Sequence, residues 1–454
     1  MKDTINKRKI LLLLLIVIVI IAIIICCIII NSRSAPSAKK LDQIVNVKEY
    51  ESNLTELTKF GELYPYQIEL VSPNLIQIYD ENNNKILYDL NHNIVAKGYY
   101  ELKYEKVGFI KIWSNDNKCG LFNSDGKEII PCKYNEIEVF SEKCIRVNII
   151  SKNNQVLCGI FDENGKEIVP CTYSNILYES DELLLTKKDD EYKAIDCNAK
   201  EIAKLDSKEW GDLKPINKTT LISTKDSKSR LVDLNGNIVL DYKYDEMIRL
   251  SENLIKAKLD GKWGVINLKG DTVLPFDNTS SIRITFYNNL IRVKTSSTET
   301  YTNMNGKSII TLQNNDSLDR VGDDVYLVKK SNEFYLMDNN GKQITKYKDV
   351  DKIESTSMDG LMIVKKSNKY GVIDCNENWI IQPIYKDIID CGRCFLVENE
   401  NNMGVYSSTG KEIATFEYNQ YKFSSYTEKG EAILVGKNGK NNDGKSKWYI
   451  LINK

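Results

Sequence analysis

Asp162-Glu163-Asn164-Gly165-Lys166-Glu167-Ile168 is the stretch whose reading decides the fold, because close copies of it recur along the chain. Nearly the same block stands at Asn123-Ser124-Asp125-Gly126-Lys127-Glu128-Ile129, Asp233-Leu234-Asn235-Gly236, Asn267-Leu268-Lys269-Gly270, Asp338-Asn339-Asn340-Gly341 and Ser407-Ser408-Thr409-Gly410. Weaker copies begin at Asp89, Asp196, Asn303 and Asp374, and successive starts lie 33 to 39 residues apart. A period in the range of about 20–50 residues signals stacked supersecondary units, each needing its neighbours to bury an apolar face.

One repeat reads as strands. Asn253-Leu254-Ile255-Lys256-Ala257-Lys258 alternates apolar and polar residues, as a half-buried strand does. Leu259-Asp260-Gly261-Lys262 turns, Trp263-Gly264-Val265-Ile266-Asn267 is a second strand, and Asp271-Thr272-Val273-Leu274-Pro275 is a third, stopped by a proline that cannot donate to the ladder. A second signature follows at Tyr134-x-x-Ile137, Tyr173-x-x-Ile176, Tyr244-x-x-Met247, Tyr347-x-x-Val350 and Tyr385-x-x-Ile388, and it reads as a short fourth strand or a tight corner. The expected fold is therefore all-β, with three to four short antiparallel strands per repeat and propeller-like packing, which removes exposed sheet edges. An open β-solenoid is the runner-up. Ten anchors and a degenerate eleventh at Lys447-Trp448-Tyr449-Ile450 exceed the usual 4–8 blades, which leaves one oversized ring or two successive propellers open.

The acidic look of the opening block is conformational. An Asp or Asn side chain accepts from backbone N–H groups downstream, and the glycine takes the left-handed conformation that closes a hairpin. A calcium loop would need further acids and a terminal bidentate Glu, whereas Leu234, Leu268 and Met304 replace donors in sibling turns. One tyrosine per repeat at a fixed place reads as packing between units rather than a stacking platform for sugars.

Composition excludes more chemistry than it suggests. Of 454 residues 42% are apolar, and 62 basic residues nearly cancel 63 acidic ones, so no nucleic-acid partner is implied. His92 is the single histidine and sits in the turn Leu90-Asn91-His92-Asn93, which leaves histidine-dependent catalysis and multi-histidine metal sites nothing to draw on. Cys391-Gly392-Arg393-Cys394 is a CxxC at the start of a strand, where a structural turn is expected instead of redox chemistry. Cys119 and Cys158 occupy equivalent places, as do Cys132 and Cys171, and these read as unbonded small hydrophobes. No catalytic residue, cofactor or metal is expected. The candidate ligand contacts are two tryptophans, Trp379 and Trp113.

Ile10 to Ile30 is an unbroken apolar run of 21 residues, long enough to cross a hydrocarbon core of about 30 Å, and it reads as a transmembrane helix. Lys2, Lys7, Arg8 and Lys9 precede it, favouring a cytoplasmic amino terminus (1–9) and an extracytoplasmic body. Residues 31–61 read as a polar, partly helical spacer, and 62–454 as the repeat domain.

Lys262-Trp263-Gly264-Val265-Ile266-Asn267 with Gly270 and Pro275, together with Ile130-Pro131-Cys132-Lys133-Tyr134, resembles the bacterial WG-repeat (KWG-repeat) family over Glu62 to Lys454. Only that copy keeps Trp-Gly, while Cys119-Gly120, Cys158-Gly159, Tyr370-Gly371 and Met403-Gly404 keep the glycine. The resemblance implies an all-β repeat domain in a surface or membrane-linked protein, with no shared catalytic site. The expected function is a membrane-anchored, extracytoplasmic, non-catalytic binding module for a protein, peptide or cell-wall glycan. The alternatives are a carboxylate-dependent glycan hydrolase and a structural surface spacer.

Overall fold

In a computed structural model the residues described are 47–50, 52–105, 108–278, 283–423, 432–438 and 444–453. They form eleven antiparallel sheets in sequence order. Blade 3 is typical: Glu136–Ser141, Cys144–Ile150, Val156–Phe161 and Glu167–Tyr173 pair each with the next. First strands of neighbouring blades touch, as between Asn175–Ser180 and Asp212–Pro215, which places first strands at the axis and fourth strands at the rim.

The apolar residues divide into eleven buried clusters, and each straddles one seam between consecutive blades. Strand alternation is the cause. On Cys144–Ile150, Ile145 and Val147 face blade 2 while Cys144 faces blade 4. A blade thus has two apolar faces and no core of its own. The eleventh cluster joins Ile68, Leu70 and Ile76 of the first blade to Leu434, Trp448 and Ile450 of the last, so the units close as one ring. That contact rules out the open solenoid and the pair of propellers; ten blades have four strands, and the closing sheet adds a short fifth, Glu62–Leu63, which pairs with Ser446–Asn453.

Closure uses both ends of the described chain. Blade 11 takes Gln420–Phe423, Ala432–Asn438 and Ser446–Asn453 from the carboxyl end, and Ser52–Glu56 from the amino end as its outermost strand. Ser52 pairs with Asn453 in the backbone register, and its Oγ donates to Asn453 Oδ1 at 2.6 Å. Part of the stretch read as a spacer is thereby a structural strand of the ring.

The expected transmembrane helix over Ile10–Ile30 lies outside the described residues. Among those described, the α-helical segment is Ser207–Trp210, and no helix is long and apolar enough to cross a membrane. The N-terminal membrane helix in the expected fold, and the single-pass extracytoplasmic placement built on it, are corrected accordingly: the structure supports neither. An apolar run fixes only hydropathy and length, and the apolar residues of the described chain are spent on seams.

The recurrent block is the turn between third and fourth strands. In blade 3 Asp162 Oδ1 accepts from the N–H of Asn164 at 2.9 Å and Lys166 at 2.8 Å, while Gly165 N–H bonds Asp162 O at 3.0 Å. Gly165 has φ +78°, and a Cβ there would stand 2.1 Å from Ile129 O of the preceding blade. The glycine therefore serves both the turn and the seam.

The Tyr-x-x-Ile signature is the crossing between blades. Tyr134 ends the fourth strand of blade 2 and Ile137 lies in the first strand of blade 3; Tyr244 and Met247 relate blades 5 and 6 in the same way. Tyr134 and Tyr244 are buried at seams.

The glycine of the Trp-Gly motif has a separate cause. In blade 6 the ladder runs Trp263↔Asn278 and then Val265↔Leu274, so the outer strand carries two extra residues, Pro275 among them. That bulge folds its backbone over Gly264, where a Cβ would meet Leu274 O at 2.8 Å. The same shift recurs over Gly120, Gly159, Gly371 and Gly404.

Candidate functional site

The first strands form the wall of an axial channel. Alternation sends Leu102, Ile137, Leu213, Met247 and Ile353 into the seams and leaves Glu101, Lys103, Glu136, Glu138, Asp212, Lys214, Glu246, Ile248, Lys352 and Glu354 exposed beside the axis. The wall is therefore of mixed charge, without the continuous basic face that a phosphate backbone requires.

Blade 11 departs from this pattern. Its first strand, Gln420–Phe423, turns Lys422 toward the first blade, where Nζ donates to Ile68 O at 2.9 Å. Burial lowers the Lys422 pKa. Alternation then places Tyr421 and Phe423 on the opposite face, 39% and 38% exposed, with ring centroids 5.2 Å apart in an edge-on arrangement. Further round the axis, a depression of about 610 Å³ is lined by Ser317, Asp319, Lys352, Glu354, Ile389 and Asp390 of blades 8, 9 and 10.

The wall is held by basic side chains that reach across seams. Lys111 is nearly buried; its Nζ lies 3.1 Å from Glu105 and 3.3 Å from Glu136, and donates to Ile137 O at 2.8 Å. Arg146 pairs with Glu138 at 2.5 Å and donates to Ile176 O at 3.0 Å. In both cases the acceptor is the backbone of a Tyr-x-x-Ile residue in the next blade. Arg249 of blade 6 forms a two-pronged ion pair with Glu179 of blade 4, spanning the short first strand of blade 5.

Neither predicted tryptophan lies in this wall. Trp379 begins the outer strand of blade 9, half-buried against the seam with blade 8, and its ring covers Gly371. Trp113 ends the second strand of blade 2, half-buried at the seam with blade 3, with Lys111 Nζ 4.9 Å above its ring. The structure does not bring the two together. Tyr421 and Phe423 went unremarked in the sequence because alternation identifies a channel-facing residue only once the strand is known to be innermost; the available signal was two aromatics two positions apart after Tyr418.

The titratable groups lean toward structure. Burial pushes the Tyr134 and Tyr418 hydroxyls up to about 12. The Asn237 side chain and backbone N–H groups hold Asp233 below the ordinary carboxylate value, and Asn84 does the same for Asp80. Among the described residues each carboxylate with a resolved shift is displaced downward. At a turn such as Asp162 one oxygen accepts two backbone bonds, which is capping rather than metal ligation.

Fold and wall together define a β-propeller, a ring suited to holding a partner at its axis or rim. The family model described as WG containing repeat matches residues 120–149, 159–192, 230–263 and 370–391, so WG-like repeats are present at four places in the ring. Two matches begin on the bulge-covered glycines Gly120 and Gly159, a third one residue before Gly371, and the remaining one on Arg230, where arginine replaces that glycine in blade 5. Among solved structures, the crystal structure of a eukaryotic initiation factor covers 75% of this chain and 94% of its own at 10% identity and TM-score 0.37. Kluyveromyces lactis Hsv2 covers 62% and 97% at 10% identity and TM-score 0.26. Nothing about site or partner transfers at such scores. No curated protein matches the chain.

Proposed function

We propose that this WG-repeat propeller is a non-catalytic interaction module that takes a protein or peptide partner at its channel wall. The observation that carries the reading is the exposed Tyr421–Phe423 pair on the innermost strand of the closing blade. Two aromatic rings left in water within a mixed-charge surface are what a hot-spot contact offers a partner.

The test is affinity capture from an extract of the native source, using the immobilised full chain and a Tyr421→Ser/Phe423→Ser variant with an unchanged melting temperature. The expected result is a protein enriched by the native chain and reduced at least about tenfold by the variant, a loss on the order of 1.4 kcal/mol. Equal capture by both chains would remove the channel wall from the proposal. Release of reducing sugar from cell-wall glycan by the native chain would overturn the non-catalytic reading.

A further inference from the structure

Nine cysteines of the described chain are free thiols, and their placement is not uniform. The pairs at equivalent repeat positions are kept apart: Cys119 packs at the seam of blades 2 and 3, whereas Cys158 packs at the seam of blades 3 and 4. A different pair meets. Cys144 is the first residue of the second strand of blade 3, and Cys197 follows Asp196 in the third turn of blade 4.

This contact follows a rule of the fold. The residue after the turn Asp or Asn packs on the first residue of the second strand in the preceding blade: Met304 lies in the cluster of Leu254, and Cys375 in that of Val325. At the seam of blades 3 and 4 both places are cysteine. The two side chains share a buried cluster, where Cys197 is the neighbour that most raises the Cys144 thiol. Cys197 is fixed further by its N–H to Asp181 O at 3.0 Å and its Sγ to Asp181 Oδ1 at 3.6 Å. Asp181 is held in turn by Ser141 Oγ at 2.5 Å and Tyr178 OH at 2.9 Å. A depression of about 730 Å³, lined by Lys143, Asp181, Cys197 and Asn198 among others, opens beside Cys197 and gives a small oxidant a route in.

We propose that Cys144 and Cys197 are a cross-linking site, oxidised by a low-molecular-weight disulfide to a covalent latch between blades 3 and 4. Cys197, the thiol beside the depression, gives up its proton and attacks one sulfur of the oxidant, releasing one thiol and leaving a mixed disulfide. Cys144 then gives up its proton and attacks the Cys197 sulfur, expelling the second thiol. One disulfide is reduced to two thiols, and two protein thiols become one disulfide. The neighbouring Cys197 sulfur, then burial, hold the Cys144 thiol far above its ordinary pKa, so the exchange is slow and suits a structural bond rather than a rapid redox relay. Cys391 and Cys394 also touch, but they lie in one turn of blade 10, and a bond between them would join no blades.

The experiment uses the reduced full chain incubated with glutathione disulfide, then alkylated and digested without reductant. A Cys144–Cys197 bridged peptide is expected, with a melting temperature several degrees above that of the reduced chain. Cys144→Leu keeps the seam filled with the residue that blades 6 and 9 carry at Leu254 and Leu361, and in it the bridged peptide is absent and the shift falls by at least half. The proposal is overturned if both thiols are alkylated after oxidation, if Cys197 retains glutathione while Cys144 stays free, or if Cys144→Leu shows the full shift.

Discussion

Gly165 answers two demands, and they are separable. Its φ of +78° disfavours any side chain, and Ile129 O leaves no room for one, whereas Gly61 has φ +66° with nothing within 4 Å of a built Cβ. Gly61→Ala is expected to cost about 1 kcal/mol from conformation alone, and Gly165→Ala at least about 2 kcal/mol because a seam must also open; urea unfolding measures both. Equal costs would show that the close approach is relieved without penalty. Asp233 supplies a pH test. Its folded pKa lies below the unfolded value of about 3.9, so its contribution is present above that value and is lost as pH falls through the lowered one. Asp233→Asn, which cannot titrate, should flatten the decline of melting temperature below about pH 4. An unchanged acid limb would remove this turn as a contributor.

Elements show where sequence reading stops. Turn and crossing were legible because their causes are local: Asp162 caps its own backbone, and Tyr134 and Ile137 are fixed by alternation across three residues. The same locality left Tyr-x-x-Ile open between a short fourth strand and a corner, since it belongs half to one blade and half to the next. It also hid how the eleventh blade, marked in the sequence by Lys447-Trp448-Tyr449-Ile450, is completed, because its strands come from opposite ends of the described chain. The blades that hold the turns at Asp89, Asp196 and Asn303 have an outer strand without the two-residue bulge, so nothing there demands a glycine at the Trp-Gly position. Channel residues were the least legible, because exposure beside an axis is a property of the closed ring. Seams also predict how a blade fails. Leu184 is fully buried between blades 3 and 4, and Leu184→Ala should cost about 3 kcal/mol, while Ile202→Ala, 46% exposed on the same blade, should stay within about 0.5 kcal/mol by thermal unfolding. Comparable losses would mean that the seam is not the unit of stability.

At the scale of the molecule the ring has eleven interfaces and no centre, with its first and last described strands side by side. Joining the ends by a flexible linker and opening the chain between Asn153 and Asn154, in the hairpin after Cys144–Ile150, should give a folded permutant melting within about 5 °C of the native order. A permutant that fails to fold would show that chain order, and not only closure, is required.

The closing strand has a consequence for biosynthesis. Ser52–Glu56 leaves the ribosome 390 residues (446 − 56) ahead of its partner Ser446–Asn453. At about 5–20 residues per second the segment waits for tens of seconds with its hydrogen-bonding groups unmatched. Ten blades are complete before the eleventh has a mate, and a nascent neighbour on the same message carries an identical strand. Polysomes crowd such neighbours together, so the route to a monomer competes with strand exchange between siblings.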